Sequence, residues 1–230
     1  MENLFYDPLI EPTDKEFELN EGESKHASRV LRMHEGEELF LLDGRGGLYQ
    51  TKILSVGKKC RLQILESTFV ERPKQEIHIA VAPTKLMERM EWFVEKATEI
   101  GVTEISWLMC QNSERKVIKN ERIEKILVSA MKQSKRRFLP KVNELMKLNE
   151  FLEKHPKGAV AHCFEDRERK TIREVYETTN FPILIGPEGD FSREELDKIK
   201  KFDYAGITLG ETRLRTETAA LVACMQCVYL

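Results

Sequence analysis

The sequence predicts an α/β protein: a mostly parallel sheet covered by helices on both faces, preceded by a smaller β-rich module. Three observations predict it. Beyond residue 76, short apolar runs alternate with stretches of helical periodicity, the pattern of strands joined by crossover helices. Before residue 70, the apolar runs are separated by turn residues instead. Between them lies Glu71-Arg72-Pro73-Lys74-Gln75, polar and interrupted by proline, which sets the expected boundary between domains 1–72 and 73–230.

In the first domain Ser24 is expected to cap a short helix carrying Lys25, His26, Arg29 and Arg32 over two turns. Spacings of four and seven put Lys25, Arg29 and Arg32 on one stripe, with Val30 and Leu31 turned elsewhere. Such a stripe either docks phosphates or is a solvated face, and these residues alone favour the second. Leu39–Leu42 and Leu48–Val56 read as strands joined by the turn Asp43-Gly44-Arg45-Gly46-Gly47, and Arg61–Val70 as a third.

In the second domain Ile77–Ala82 is a short apolar strand. A helix follows over about 85–100, with Leu86, Met90, Phe93, Val94 and Ala97 at helical spacing and Gly101 as its stop. Ile105–Met109 is a strand, and about 120–137 a helix ended before Pro140. Ala159–Cys163, Pro182–Ile185 and Ala205–Leu209 are strands; Arg193–Lys201 is a helix that Ser192 and Glu195 start with a capping box. The last helix, about 217–229, is apolar nearly all round. One sheet face does not require that, so either a second subunit covers part of it or it is a central core helix.

Composition narrows the class. With 41% hydrophobic residues in 230, a packed core is available and global disorder is excluded. No apolar run approaches the roughly 18–20 residues of a membrane helix, and Met1-Glu2-Asn3-Leu4 has no secretory character. Five scattered cysteines are an odd number, as expected of reduced cytoplasmic thiols rather than a disulfide scaffold. The net charge of −2 hides an uneven distribution: ten Lys/Arg stand against three acids between Glu114 and Lys141. That segment is either the footprint of a polyanion or a solvated helix face.

Two loops at strand ends stand out, because ligands of parallel sheets lie outside the carboxyl ends of the strands. The first is Ile185-Gly186-Pro187-Glu188-Gly189-Asp190-Phe191-Ser192, where glycines expose backbone to anything lying there. By itself it is an ordinary strand-to-helix turn. The second is Leu209-Gly210-Glu211-Thr212-Arg213-Leu214-Arg215-Thr216-Glu217-Thr218. Thr216 is a natural N-cap and Glu217 suits the helix dipole, but Arg213 and Arg215 carry charges unfavourable before a helix N-terminus. Those cations point to a ligand or a partner carboxylate. Neither a dinucleotide fingerprint nor a Walker A sequence is present. Cys224-x-x-Cys227 lacks a second pair, and the histidines have no ligand spacing, so no metal is expected.

Taken together, these segments resemble the RsmE family, 16S ribosomal RNA (uracil-N3) methyltransferases of the SPOUT class. The resemblance rests on Ile185–Gly189, on Leu209-Gly210 and on Leu214-Arg215-Thr216-Glu217-Thr218-Ala219. It extends to His26-x-x-x-Val30-Leu31-Arg32, Lys96-Ala97-Thr98-Glu99-Ile100-Gly101-Val102, Ser113-x-Arg115 and Ala130-x-x-Gln133-Ser134-x-Arg136-x-x-x-Pro140. Two departures are visible: Asp190 where the family commonly has a second glycine, and Thr212-Arg213 in a loop where only Arg215 matches the family's arginines.

The resemblance implies an N-terminal PUA-like β-barrel that binds RNA and a C-terminal SPOUT sheet with a trefoil knot, acting as a cytoplasmic homodimer. It implies S-adenosyl-L-methionine held by Ile185, Gly186, Pro187, Glu188 and Gly189 of one loop and Leu209, Gly210, Leu214 and Thr218 of the other. Arg215 is then expected to stabilise charge on the uracil carbonyls, and Glu217 to orient it or relay the proton. Lys25, His26, Arg29, Arg32, Arg115, Gln133 and Arg136 are the expected contacts to 16S ribosomal RNA of the small subunit. Two other functions fit such a fold: a non-catalytic RNA-binding assembly factor, and a methyltransferase acting on a transfer-RNA ribose.

Overall fold

The computed structural model describes residues 3–230; Met1 and Glu2, at the chain start, lie outside the described residues. The chain forms two compact units: residues up to Arg72 together with 131–139, and 73–130 together with 140–230.

The first unit contains β1 (Leu4–Tyr6), β2 (Glu16–Glu18), α1 (Glu21–Lys25), a π-helical turn (His26–Val30), β3 (Glu38–Leu42), β4 (Gly47–Ser55) and β5 (Arg61–Phe69). The strands lie in the order β1-β3-β4-β5-β2, with β1 parallel to β3 and the other pairs antiparallel. Alternation along the strands selects the core. Leu39 and Leu41 of β3, Tyr49 and Ile53 of β4 and Leu62 of β5 turn inward onto Phe5, Leu19 and Ala27. The β3–β4 turn is closed by the buried Asp43 carboxylate, which accepts from the N–H groups of Arg45 (2.7 Å) and Gly47 (2.9 Å). Gly46 has φ 113°, and a Cβ there would lie 2.6 Å from the Val70 carbonyl oxygen, so no side chain fits.

Two expectations for this unit need correction. The helix cap is Asn20, whose side chain accepts from Glu23 N–H at 2.9 Å. Ser24 is buried within the helix instead, its hydroxyl donating to the Leu19 carbonyl and accepting from Cys60 N–H, both at 2.9 Å. A hydroxyl with two partners inside the fold is worth more there than at an exposed helix end. The cationic stripe is also broken. The helix widens into a π-turn, and Arg32 lies beyond it at φ 54°, so it does not share a helical face with Lys25 and Arg29. All three side chains remain exposed, as do those of Val30 and Leu31.

Residues 131–139, which the sequence pattern assigns to the second domain, belong to the first unit. Gly46 N–H donates to the Arg137 carbonyl and Leu139 N–H to the Gly44 carbonyl, both at 2.9 Å. The Arg137 guanidinium reaches Thr68, and Lys132 pairs with Glu23 at 2.6 Å.

The second unit contains β6 (His78–Val81), α2 (Met87–Ile100), β7 (Glu104–Met109), α3 (Asn120–Gln133, its last turn in the first unit), β8 (Lys141–Lys147), α4 (Leu148–Lys154) and β9 (Lys157–Ala161). It continues through β10 (Lys170–Thr171), α5 (Ile172–Val175), β11 (Ile183–Ile185), α6 (Arg193–Ile199), β12 (Asp203–Thr208) and α7 (Thr216–Val228). Its seven strands run in the order β10-β12-β9-β11-β6-β7-β8, and every pair is parallel. The expected α/β fold is therefore present, with β8, α4, β10 and α5 added to the predicted elements. α3 stops at Gln133 rather than Arg137 because Lys135 takes a left-handed backbone, φ 56°.

Period-two alternation gives the sheet two apolar faces. Ala80, Leu108, Val160 and Leu184 meet Phe151 and Leu152 of α4 and Leu196 and Ile199 of α6. α7 packs on β6, β11 and α2. Within the chain it is only half covered. Ala220, Ala223, Cys224 and Cys227 are buried, whereas Met225 and the neighbouring Tyr229 and Leu230 are exposed. No helix among the described residues is long and apolar enough to cross a membrane.

Candidate active site

Strand register brings the two glycine-bearing loops together. Ile185 at the end of β11 and Ile207 near the end of β12 both lie opposite Ala161, the last residue of β9 between them. Three parallel strands thus release their chains at one level. The loops that follow enclose a cavity of about 690 Å³, in the size range of small-molecule sites. Ile185, Gly186, Pro187 and Glu188 line one side, and Leu209, Gly210, Leu214 and Arg215 the other. Of the expected cofactor residues, Gly189 and Thr218 do not line it.

The wall is stitched across the chain. Thr216, expected as a helix cap, is the first residue of α7; its buried hydroxyl donates to the Gly186 carbonyl at 3.2 Å and so joins the two loops. The cap position falls to Arg215, which makes no side-chain capping bond. Ser192 and Glu195 form the expected capping box at 2.9 and 3.1 Å. The second oxygen of Glu195 accepts from Gln111 N–H at 2.7 Å, and the Asn112 amide donates to the Asp190 carbonyl at 3.1 Å. Asp190, at φ 63°, keeps the left-handed backbone that a glycine would take.

Charged groups surround this frame. Arg215 is exposed on the cavity wall. Glu217 lies behind it, buried in the first turn of α7, and its ion-pair partner is Arg89 of α2 at 3.7 Å rather than Arg215. The other Glu217 oxygen is buried with no hydrogen-bond partner among the described residues. Sequence reasoning missed Arg89, His162, Cys163 and Arg169, all of which line the cavity. The rule of strand carboxyl ends could have found His162 and Cys163, which follow β9 directly. Burial holds the His162 imidazole below its ordinary range, and burial with the nearby Asp190 carboxylate pushes the Cys163 thiol up.

The expected RNA contacts divide. Lys25, Arg29, Arg32 and Gln133 are exposed in the first unit, and His26 and Arg136 are half-buried there. Arg115, in the second unit, donates to the backbone carbonyls of Thr84 (3.2 Å) and Lys85 (2.6 Å) and so braces the turn before α2. Much of the basic segment is engaged inside the protein. Arg122 pairs with Glu91, Lys132 with Glu23 and Lys141 with Glu104, and Arg137 bonds Thr68. Lys116, Lys119 and Lys125 are exposed.

The cavity lining fits a zwitterionic nucleoside. Ile185, Ile207, Leu209 and Leu214 offer apolar contact for a purine ring, and the carbonyl of exposed Gly210 keeps a lone pair for its edge. A Cβ on Gly210 would meet nothing within 4 Å, so that backbone lies open. Glu188 suits hydroxyls or an ammonium group, and Arg169 or Arg213 a carboxylate. No group of three or more His, Cys, Asp or Glu among the described residues is placed to hold a metal ion.

Comparison with known proteins bears on the same regions. An RNA methyltransferase domain model matches residues 71–227, and an RNA methyltransferase PUA domain model matches 19–64. A ribosomal RNA small subunit methyltransferase E of Buchnera aphidicola is 30% identical over 89% of this chain and 84% of its own length. The crystal structure of a probable rRNA-methyltransferase from Porphyromonas gingivalis is 40% identical, with a TM-score of 0.87 over 99% of this chain and all of that one. A putative methyltransferase from Legionella pneumophila, solved with bound S-adenosylmethionine, is 28% identical and also has a TM-score of 0.87, over 99% and 97% of the two chains. With two thirds of its length matched by one methyltransferase model and nearly all of it by full-length relatives, the chain belongs to the ribosomal RNA small subunit methyltransferase E family.

Proposed function

We propose that this protein transfers the methyl group of S-adenosylmethionine to N3 of a uridine in 16S ribosomal RNA, acting on the small ribosomal subunit in the cytoplasm. The observation that carries the reading is the cavity where the two loops meet, closed by the Thr216–Gly186 bond and edged by Arg215. When bound, the cofactor supplies an electrophilic methyl group on a sulfonium. The protein's own task is then alignment and charge stabilisation. Ile185–Glu188 and Leu209–Leu214 hold the nucleoside. Arg215 donates to a uracil carbonyl, where negative charge grows as the N3 proton leaves. Glu217, buried and off the cavity lining, keeps Arg89 at the cavity wall, and the N3 proton leaves to solvent through the open mouth of the cavity. N3 lies on the pairing edge, so the target base must be unpaired or extruded.

In the same reading, residues 1–72, joined by 131–139, are the RNA-binding domain and the rest of the chain the catalytic one. The return of the chain from β12 to α7, bonded to Gly186 through Thr216, supports a SPOUT-type trefoil knot. The uncovered side of α7, with Met225 exposed and Tyr229 and Leu230 exposed just beyond its end, supports a homodimer. Sedimentation at micromolar concentration should give twice the 26.8 kDa chain mass. The deciding experiment is mass-spectrometric mapping of nucleosides after incubating unmodified small subunits with enzyme and cofactor. 3-Methyluridine in 16S RNA is expected. A ribose methyl group, or no methylation by a protein that still binds RNA, would overturn the reading in favour of its two rivals.

A further inference from the structure

Asp190 is the point where two segments of the cavity wall meet the loop after β7. Its backbone is left-handed at φ 63°, a conformation that side chains rarely adopt. One carboxylate oxygen accepts from its neighbour Phe191 N–H at 2.8 Å; the other accepts from Cys163 N–H at 2.9 Å, 27 residues away on the loop after β9. Its own N–H donates to the Pro187 carbonyl at 2.9 Å, and its carbonyl accepts from the Asn112 amide at 3.1 Å. Asp190 and Cys163 both line the cavity. A glycine here would hold the same backbone without strain, yet could make neither carboxylate bond.

We propose that Asp190 is a positioning residue that clamps the loop after β9 to the Gly186–Gly189 loop, so that the cofactor cavity is formed before the cofactor arrives. The proposal rests on the cofactor reading above and deepens it. Side-chain bonds of this kind fix two mobile chain ends at one distance. Ordering required at binding is thereby made in advance, which tightens binding without touching the chemical step.

Three forms of the full chain separate a clamp from a mere turn residue. Asp190→Gly keeps the left-handed backbone and removes both acceptors. Asp190→Asn tolerates that backbone and keeps one acceptor oxygen. Calorimetric titration with S-adenosylmethionine should show binding weakened about tenfold in the glycine variant and about threefold in the asparagine variant. Steady-state assays should assign the change to the KM for cofactor, with kcat and the KM for RNA within twofold of wild type. Cys163 is the one exposed cysteine among the described residues, so its labelling by a maleimide reads the same clamp without cofactor. Asp190→Gly should speed that labelling several-fold in the apo protein. Glycine binding cofactor within twofold of wild type, with unchanged Cys163 labelling, would overturn the clamp. So would a parallel fall in kcat, RNA affinity and melting temperature, which marks a general folding defect. If wild type takes up no S-adenosylmethionine, the cofactor reading fails instead, and the labelling rates still decide the clamp.

Discussion

Replacing Thr216 by valine tests whether the two loops act as one site. The substitution keeps the shape of a side chain that is 5% exposed and removes only the hydroxyl that donates to Gly186 at 3.2 Å. A neutral bond of this length contributes about 0.5–1.5 kcal/mol net, and a carbonyl left buried without its donor costs about 1–3 kcal/mol. Because the loop can relax a little toward the open cavity, the lower part of that range applies, roughly 1–2 kcal/mol. In a chain of this size that corresponds to a fall in melting temperature of about 2–4 °C per kcal/mol. Both tryptophans, Trp92 and Trp107, lie in the second unit, so fluorescence-detected urea unfolding reports on the right part of the molecule. Since about 1.4 kcal/mol is a factor of ten, splaying the loops should weaken S-adenosylmethionine binding by about five- to thirtyfold. Thr216→Ser restores the hydroxyl and should recover most of both effects. A valine variant with stability within about 0.3 kcal/mol of wild type and the same cofactor affinity would show that the bond does not organise the site.

Arg215→Ala should leave cofactor affinity within about threefold while turnover falls about a hundredfold or more, as for loss of a group that stabilises developing charge; unchanged turnover removes that role from Arg215. Lys25→Ala/Arg29→Ala/Arg32→Ala should raise the KM for RNA and leave kcat near wild type. The same variant should flatten the salt dependence of RNA binding by about 0.7–0.9 for each phosphate that is no longer neutralised. Its wild-type kinetics on ribosomal subunits at physiological salt would mean that the first unit does not grip RNA there. Burial holds the His78 imidazole below its ordinary value of 6.5, in a network with Ser106 at 2.8 Å and near Glu104, His155 and Lys141. A base with a lowered folded-state pKa contributes stability above its unfolded value and loses it as pH falls below about 6.5, by up to roughly 1.4 kcal/mol per pH unit. Urea midpoints at pH 7.5 and 5.5 should therefore converge between wild type and His78→Gln at the lower pH; parallel curves refute the assignment.

Much of the second unit's architecture is legible in the sequence because its cause is local. A strand buried on both faces reads as an apolar run, as Ile77–Ala82 does around β6, and an amphipathic helix repeats its apolar residues every three or four positions, as α2 does. The elements that escape have mixed patterns. β8, Lys141–Lys147, sits at the sheet edge with no buried side chain, only half-buried and exposed ones, and therefore carries no apolar run. β10 is two residues long. The 131–139 segment escapes for another reason. Its attachment to the first unit depends on backbone bonds to Gly44 and Gly46, some ninety residues earlier, and such bonds leave no periodicity.

The site shows the same division between residue type and geometry. Glycines at strand ends and misplaced arginines are enough to pick out both loops, because each violates an ordinary local preference and so asks for a non-local reason. Local rules then misassign the residues that answer that need. Thr216 satisfies every criterion for a helix cap, yet its hydroxyl bonds a carbonyl thirty residues earlier. Glu217 reads as a partner of Arg215, its near neighbour in sequence, and pairs with Arg89 on another helix. The basic segment 114–141 reads as one charge patch, although Arg122, Lys132, Arg137 and Lys141 have partners inside the fold and the segment is divided between the two units. Net charge per segment counts ions, whereas affinity for a polyanion depends on ions that still lack partners in the folded chain. For this protein that criterion moves the expected RNA contact away from the engaged arginines of the segment. It favours exposed Lys116, Lys119 and Lys125 in the second unit and Lys25, Arg29 and Arg32 in the first.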